Sequence, residues 1–345
     1  MNNSSVTSAT NDQRPLNYAA VPQVVPIAVV ILLTNGIVFL LFWKRKSLRT
    51  PSNYLLFSLA ISDIMTGLIN IPLFLTDFIL NDDLLVPALY GASQVFHNVI
   101  SFSIAYHITA VTAEKYLAVV NPFGRNMRTK KTAFKVASVI WLWSVLLGAA
   151  PACWFNEWRA YENLAYYMQA GYNIFCLVIV FLLPFMFILY AYCIMFRAVS
   201  SKSSLRKSLQ QQKGSRAFKK ASNEKKCLII LFAMAVTFAM CWLPWFMLML
   251  LFSLVPIGWI PLRYVIPLKP ATQIFLIVRY LSSAINPLLY TFFKQDFWSA
   301  FRIIVLKKRP STRPPSTRLV SQRTRGSDQI SKHLLEENVK NSSFV

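Results

Sequence analysis

The chain has 345 residues, 55% of them hydrophobic and only 14% charged, against about 25% charged in a soluble domain. That deficit points to a membrane protein, and 9 glycines with neither a GxGxxG nor a GxxxxGK run exclude the usual phosphate-cradling loops. The net charge of +23 would suit a nucleic-acid binder, but its distribution follows membrane topology, so no nucleic-acid partner is expected.

Residues 1–21 are polar and read as an N-terminal tail. Asn2 and Asn3 each open an N-x-Ser sequon in "NNSS", an acceptor for glycosylation if the tail lies outside the cell. Seven apolar stretches follow, near 22–43, 53–76, 93–120, 134–152, 172–196, 227–252 and 271–293. Each is long enough to span a bilayer as a helix, which takes about 20 residues. The third and fourth are the least clean, because of His97, His107 and the Glu114–Lys115 pair. The first begins far from the N-terminus and lacks the basic flank of a cleaved signal peptide. Spanning helices satisfy every backbone group internally, so the expected fold is an all-α membrane protein, a seven-transmembrane helix bundle over 22–293. The stretch 197–226 reads as solvated helix extensions around a flexible middle. Residues 294–306 read as a short amphipathic eighth helix on the membrane surface, and 307–345, rich in Ser, Thr, Arg and Pro, as a disordered cytoplasmic tail.

Of the 36 Lys and Arg, only Arg14, Arg159, Arg263, Lys269 and Arg279 fall outside the segments joining spans 1–2, 3–4 and 5–6 and the tail. Positive residues accumulate on the cytoplasmic side. A multi-pass plasma-membrane protein with its N-terminus outside and C-terminus inside follows, its basic side also attracting anionic membrane lipid.

Polar residues and prolines sit inside the spans, each costly there. They comprise Asn35 in "LLTNGIVFL", Asp63 in "SLAISDIMTG", Trp141 in span 4, Pro184 with Tyr192 in span 5, "CWLPW" in span 6 and Asn286-Pro287-x-x-Tyr290 in span 7. Together, and in this order, they make residues 22–306 resemble the rhodopsin-like (class A) G-protein-coupled receptors. The resemblance implies a receptor, not an enzyme, that transmits an extracellular ligand to a heterotrimeric G protein. It implies an arrestin partner at the Ser/Thr-rich tail and a surface-lying helix in "FFKQDFWSAFRIIV", with Phe293, Phe297, Phe301 and Ile304 on one face.

Further expectations follow from the resemblance. The family's acid-arginine-aromatic triplet at the end of span 3 is Glu114-Lys115-Tyr116 here, with lysine in place of arginine. Lysine keeps the charge and loses the planar fork, which puts the strength of coupling in question. Glu224, 20 residues before Pro244 and so about 30 Å along the helix, is a second partner for Lys115. Tyr192 and Tyr290 join this coupling group. Asp63, Asn35, Ser283 and Asn286 form the polar pocket that holds sodium in the family, although Ile104 replaces the serine that usually completes it. No other cofactor is implied, and no His/Glu/Asp grouping has metal-ligand spacing. No disulfide is expected, since Tyr90 stands where the family's span 3 cysteine would be, and Cys153 is the one cysteine near the outer surface.

The ligand cavity of the family lies between the outer halves of spans 3, 5, 6 and 7. His97 stands where amine receptors carry aspartate, and Tyr280 where opsins carry lysine, so neither a typical biogenic amine nor retinal is expected. The candidate ligand contacts are His97, Trp242, Trp245, Phe246, Arg279 and Tyr280; His107 reads as structural. A mid-helix arginine costs roughly 2.5–3.5 kcal/mol on insertion scales. Arg279 reads either as a salt bridge with Asp77 or a cation–π pair, or as the anchor of a ligand that is anionic or lipid-like. Two alternatives stand beside the ligand-activated receptor: a receptor-like protein with weak or ligand-independent signalling, and an unrelated seven-span transporter.

Overall fold

The structure, a computed structural model, describes residues 21–79, 86–121, 129–155, 162–209 and 215–307. Asn2, Asn3 and residues 308–345, with the tail expected to meet arrestin, lie outside the described residues. So do the side chains of Asp77, Tyr90, Glu224 and Phe293. Met1–Phe301 form one unit and Arg302–Val345 a second. The helix bundle and its cavities belong to the first unit.

Helix α1 (Val21–Lys44) is joined through a single 3₁₀ turn to α2 (Pro51–Met65). Pro51 opens α2 at its first position, where the missing N–H is no loss. A π-turn at Thr66–Asn70 links α2 to α3 (Ile71–Ile79). Next come α4 (Val86–Val120) and α5 (Lys130–Ala149), the latter capped by the Thr129 hydroxyl, which accepts from the Thr132 N–H at 3.1 Å. Beyond the one-turn α6 (Ala152–Phe155), α7 (Glu162–Phe175) passes through a π-turn at Cys176–Leu182 into α8 (Leu183–Leu209). Proline lacks an N–H and its ring crowds the carbonyl four residues back. The widened turn just before Pro184 relieves that crowding. Then come α9 (Ser215–Leu254), the one-turn α10 (Leu262–Val265), α11 (Lys269–Phe293) and α12 (Gln295–Ile304).

Six helical stretches among the described residues are long and apolar enough to cross a membrane. The long α4 is not among them. It packs against α2, α5, α8 and α9, so His97, Ser101, Ser103, His107 and Thr112 are buried by protein and its face need not match hydrocarbon. The outward faces are apolar, with Leu33, Trp43, Val139, Leu142 and Met240 exposed. Span 3 starts seven residues before its expected beginning at 93. The basic 197–226 segment is helical to Leu209 and again from Ser215.

Helices α4 and α5 cross in close contact. A Cβ placed on Gly148 would lie 2.6 Å from the backbone nitrogen of Val99, so glycine is what permits this approach.

Candidate functional site

At the end of the bundle opposite the basic segments, two cavities flank the Trp245 ring. One, about 320 Å³, is lined by Asn70, Phe74, His97, Trp245, Arg279 and Tyr280 among others. The second, about 270 Å³, is lined by the amides of Gln94, Asn98, Gln169 and Asn173 and by Tyr172, Cys176, Trp245 and Phe246. The two π-turns serve these cavities, since Asn70 belongs to one and Cys176 to the other.

The six candidate ligand contacts fall on α4, α9 and α11, and the structure brings them together. Arg279 is only 2% exposed. Its guanidinium sits 4.2 Å from the Trp245 ring centroid, 5.0 Å from Tyr280 and 5.4 Å from Trp242. Its Nη1 donates to His97 Nε2. Among the described residues the one ion pair is Lys115–Glu114; the expected Asp77 salt bridge falls on a side chain outside the described residues. Arg279 is buried and lines the cavity.

Trp242 stacks on His97 at 5.8 Å and on Phe238 at 5.7 Å, and its indole N–H donates to Ser282 Oγ at 3.2 Å. Ser282 in turn donates to the Arg279 carbonyl at 2.8 Å. Phe246 lies 6.3 Å from Trp242 and 5.8 Å from Phe181. The cavity of about 320 Å³ and Trp242 therefore share one aromatic assembly with Arg279 at its centre.

Deeper in the bundle, Asn35 Nδ2 donates to the Ser283 carbonyl at 3.2 Å. Ser283 and Asn286 are the polar neighbours of Asp63, yet neither carboxylate oxygen completes a hydrogen bond. Asn35, Asp63, Ser283 and Asn286 are all fully or nearly fully buried, as is Ile104.

A second polar cluster spans α2, α4 and α5, and of its members His107 and Trp141 stand out in the sequence. The Ser103 carbonyl can only accept, so His107 Nδ1 (2.7 Å away) carries the proton. His107 Nε2 then accepts from Ser58 Oγ at 2.8 Å, and Ser58 accepts from Trp141 Nε1 at 3.1 Å. Ser62 and Ser103 hydroxyls pair at 2.7 Å.

At the basic end, Lys115 Nζ lies 3.1 Å from Glu114 Oε2, with side chains 25% and 19% exposed. Tyr116 packs edge-on against Phe187 at 6.3 Å. Tyr192, on α8, meets Phe232 at 5.2 Å, and Tyr290 meets Phe297 of α12 at 5.4 Å. Glu224 lies on α9, and its side chain is not among those described. The four described cysteines, Cys153, Cys176, Cys193 and Cys241, are free thiols.

The sequence reading missed the amides of the second cavity. Their signal was available: Gln94/Asn98 and Gln169/Asn173 are each four apart, on one helix face.

Comparison with known proteins bears on this geometry. The sequence profile of the family described as 7 transmembrane receptor (rhodopsin family) matches residues 34–290. The chain is 28% identical over 302 residues to neuromedin-U receptor 2 of Homo sapiens, covering 81% of this chain and 70% of that protein. It is 25% identical over 329 residues to the allatostatin-A receptor of Bombyx mori, covering 86% and 85%. It is 26% identical over 298 residues to the substance-P receptor of Homo sapiens, covering 80% and 68%.

Proposed function

Because the chain belongs to the rhodopsin family of seven-transmembrane receptors, and is thereby a multi-pass membrane receptor and not an enzyme, we propose that it binds an extracellular peptide and signals to heterotrimeric G proteins. The observation that carries this reading is the pair of cavities around Trp245, which hold aromatic rings, four side-chain amides and a buried guanidinium. Such a lining suits backbone amides and mixed side chains together. Relatives named for neuromedin U, substance P and allatostatin A support a peptide, and they give no support to the lipid-like or small anionic ligand expected from Arg279 alone.

In this reading the N-terminus is extracellular and the basic end cytoplasmic. A peptide entering beside Trp245 disturbs the rings that stack on Trp242. Trp242 lies two residues before Pro244 in α9, where the interrupted hydrogen-bond ladder allows bending. Movement of the cytoplasmic half of α9 then frees the Glu114–Lys115 pair, with Tyr116, Tyr192, Glu224 and Tyr290 lining the mouth that receives the G protein. Sodium at Asp63 would favour the resting arrangement, arrestin would engage the Ser/Thr-rich tail, and α12 would rest on lipid. A second reading, output without agonist, draws on Lys115, which keeps the charge but lacks the planar fork of arginine and so holds Glu114 less firmly.

The test uses cells expressing the full chain with an N-terminal epitope, read on intact cells for orientation and surface level. A G-protein dissociation sensor is then challenged with neuromedin U, substance P, allatostatin A and a random synthetic peptide library. A saturable response confined to cells that express the chain supports the proposal. Output that is high at rest and unmoved by any peptide overturns it in favour of the second reading.

A further inference from the structure

Arg279 is a full charge, only 2% exposed, and it has no acid partner among the described residues. Buried charges are ordinarily paired. Three rings face it at 4.2–5.4 Å. Rings stabilise a guanidinium through their π-faces, but they neither neutralise it nor accept its in-plane N–H bonds in carboxylate fashion. Its Nε–H has no hydrogen-bond partner. His97 adds a second orphan. Arg279 has donors only, so His97 Nε2, which meets Arg279 Nη1, is the accepting nitrogen, and the ring proton sits on Nδ1. That Nδ1 also has no partner. Two buried donors thus lack acceptors, and both residues line the same cavity of about 320 Å³.

A group that answers this pattern accepts through more than one oxygen, carries negative charge and adds no donor. We propose that the Arg279–His97 pair binds a carboxylate of the peptide, with the aromatic wall of Trp245 separating it from the amide-lined cavity. That second cavity, with Gln94, Asn98, Gln169 and Asn173, takes uncharged hydrogen-bonding groups of the same peptide. The inference rests on the peptide reading above. The carboxylate is either the peptide's C-terminus or an Asp or Glu side chain, and the chemistry at Arg279 is shared by both.

The test separates these sources and needs no variant for its first result. Three libraries of N-acetylated tetrapeptides are applied to cells expressing the full-length receptor with the G-protein sensor. The first ends in a free carboxylate and contains no Asp or Glu. The second is the same library ending in carboxamide. The third ends in carboxamide and carries one Asp or Glu. The expected result is that the first or the third library exceeds the second in potency by about tenfold or more, the scale of one charge-assisted hydrogen-bonded contact. In Arg279→Gln, at matched surface level, this preference disappears. In Arg279→Lys it is reduced but kept, because the charge remains without the fork. Should Arg279→Gln fail to reach the surface, the three-library comparison on the parent and on Arg279→Lys still decides. An equal or better response to the second library overturns the carboxylate inference while leaving the peptide reading intact. Survival of the acid preference in Arg279→Gln overturns it equally. Silence to all three libraries, where the sensor responds to a control receptor, sinks both the inference and the reading beneath it.

Discussion

Replacing Gly148 by alanine tests the crossing of α4 and α5. The added methyl would lie 2.6 Å from both Val99 Cγ2 and the Val99 backbone nitrogen, and 2.9 Å from Val99 Cα. Comfortable carbon contacts lie near 3.5–4.0 Å, so α4 and α5 must part by roughly 1 Å. A side chain can turn away from such a methyl, but backbone cannot. The strain therefore falls near the upper end of the overpacking range, about 3 kcal/mol. Alanine recovers about 1 kcal/mol of helix propensity, which leaves a net loss of roughly 2 kcal/mol. Gly36→Ala and Gly171→Ala are the controls, since a Cβ at either position meets nothing within 4 Å. The assay is thermal unfolding of the purified, detergent-solubilised protein with a thiol-reactive dye, because Cys176 and Cys241 are buried in the fold. Gly148→Ala should unfold at a clearly lower temperature, and the controls at the parental temperature or above. Val99 is two residues from His97 on α4, so the same substitution should also weaken peptide response. A Gly148→Ala protein with the parental midpoint would refute the close approach of α4 and α5.

Lys115→Arg restores a forked donor and should raise G-protein dissociation, while Lys115→Ala should lower it; identical output from both would remove the Glu114-Lys115-Tyr116 triplet from coupling. Ser58→Ala strands both the Trp141 N–H and His107 Nε2, each orphan costing about 1–3 kcal/mol. It should therefore lower the unfolding midpoint more than Trp141→Phe, which removes a donor without stranding a buried group of its own, and the reverse order would sink the assigned network. Asp63→Asn removes the buried carboxylate, so sodium chloride should raise the parental midpoint more than potassium chloride does and lose that advantage in the variant; a sodium advantage that persists would clear Asp63 of ion binding.

Spans, their order and most inward polar residues were legible because each deviates from a uniform apolar background. Asp63, Asn35, Ser283 and Asn286 are costly in hydrocarbon, and all four are buried together. Other features left weaker marks. A membrane helix is apolar on its lipid face and on its packed face alike, so hydropathy does not say which face turns inward. The two π-turns, at Thr66–Asn70 and Cys176–Leu182, shift that facing part-way along a span. Each is followed two residues on by a proline, Pro72 after the first and Pro184 after the second. Gly148 sits in "LLGAA" without a turn or a left-handed backbone to mark it. Its reason is a neighbour almost fifty residues away. Arg279 was visible as an anomaly, but its meeting with the rings of Trp242 and Trp245 depends on how α11 is rotated against α9.

The two polar clusters of the bundle differ in a way that separates scaffold from machinery. Around His107, Nδ1 and Nε2, the Ser58 hydroxyl and the Trp141 N–H all find partners at 2.7–3.1 Å. A network satisfied in this way holds α2, α4 and α5 in one arrangement. Around Asp63, both carboxylate oxygens, Asn35 Oδ1, both side-chain polar atoms of Asn286 and the Tyr290 hydroxyl lack partners. Each such orphan costs on the order of 1–3 kcal/mol. Those open positions are what a cation would complete, in line with the proposed reading in which sodium favours the resting arrangement. Arg279, two turns before Asn286 on α11, and His97 on α4 carry the same mark, and Arg279 is linked to Trp242 through Ser282. Among the described residues such groups recur along α11, at Arg279, Asn286, Tyr290 and Thr291, whereas the satisfied His107 network joins α2, α4 and α5. A rearrangement begun at Arg279 would have the least to break on the first path and the most to break on the second.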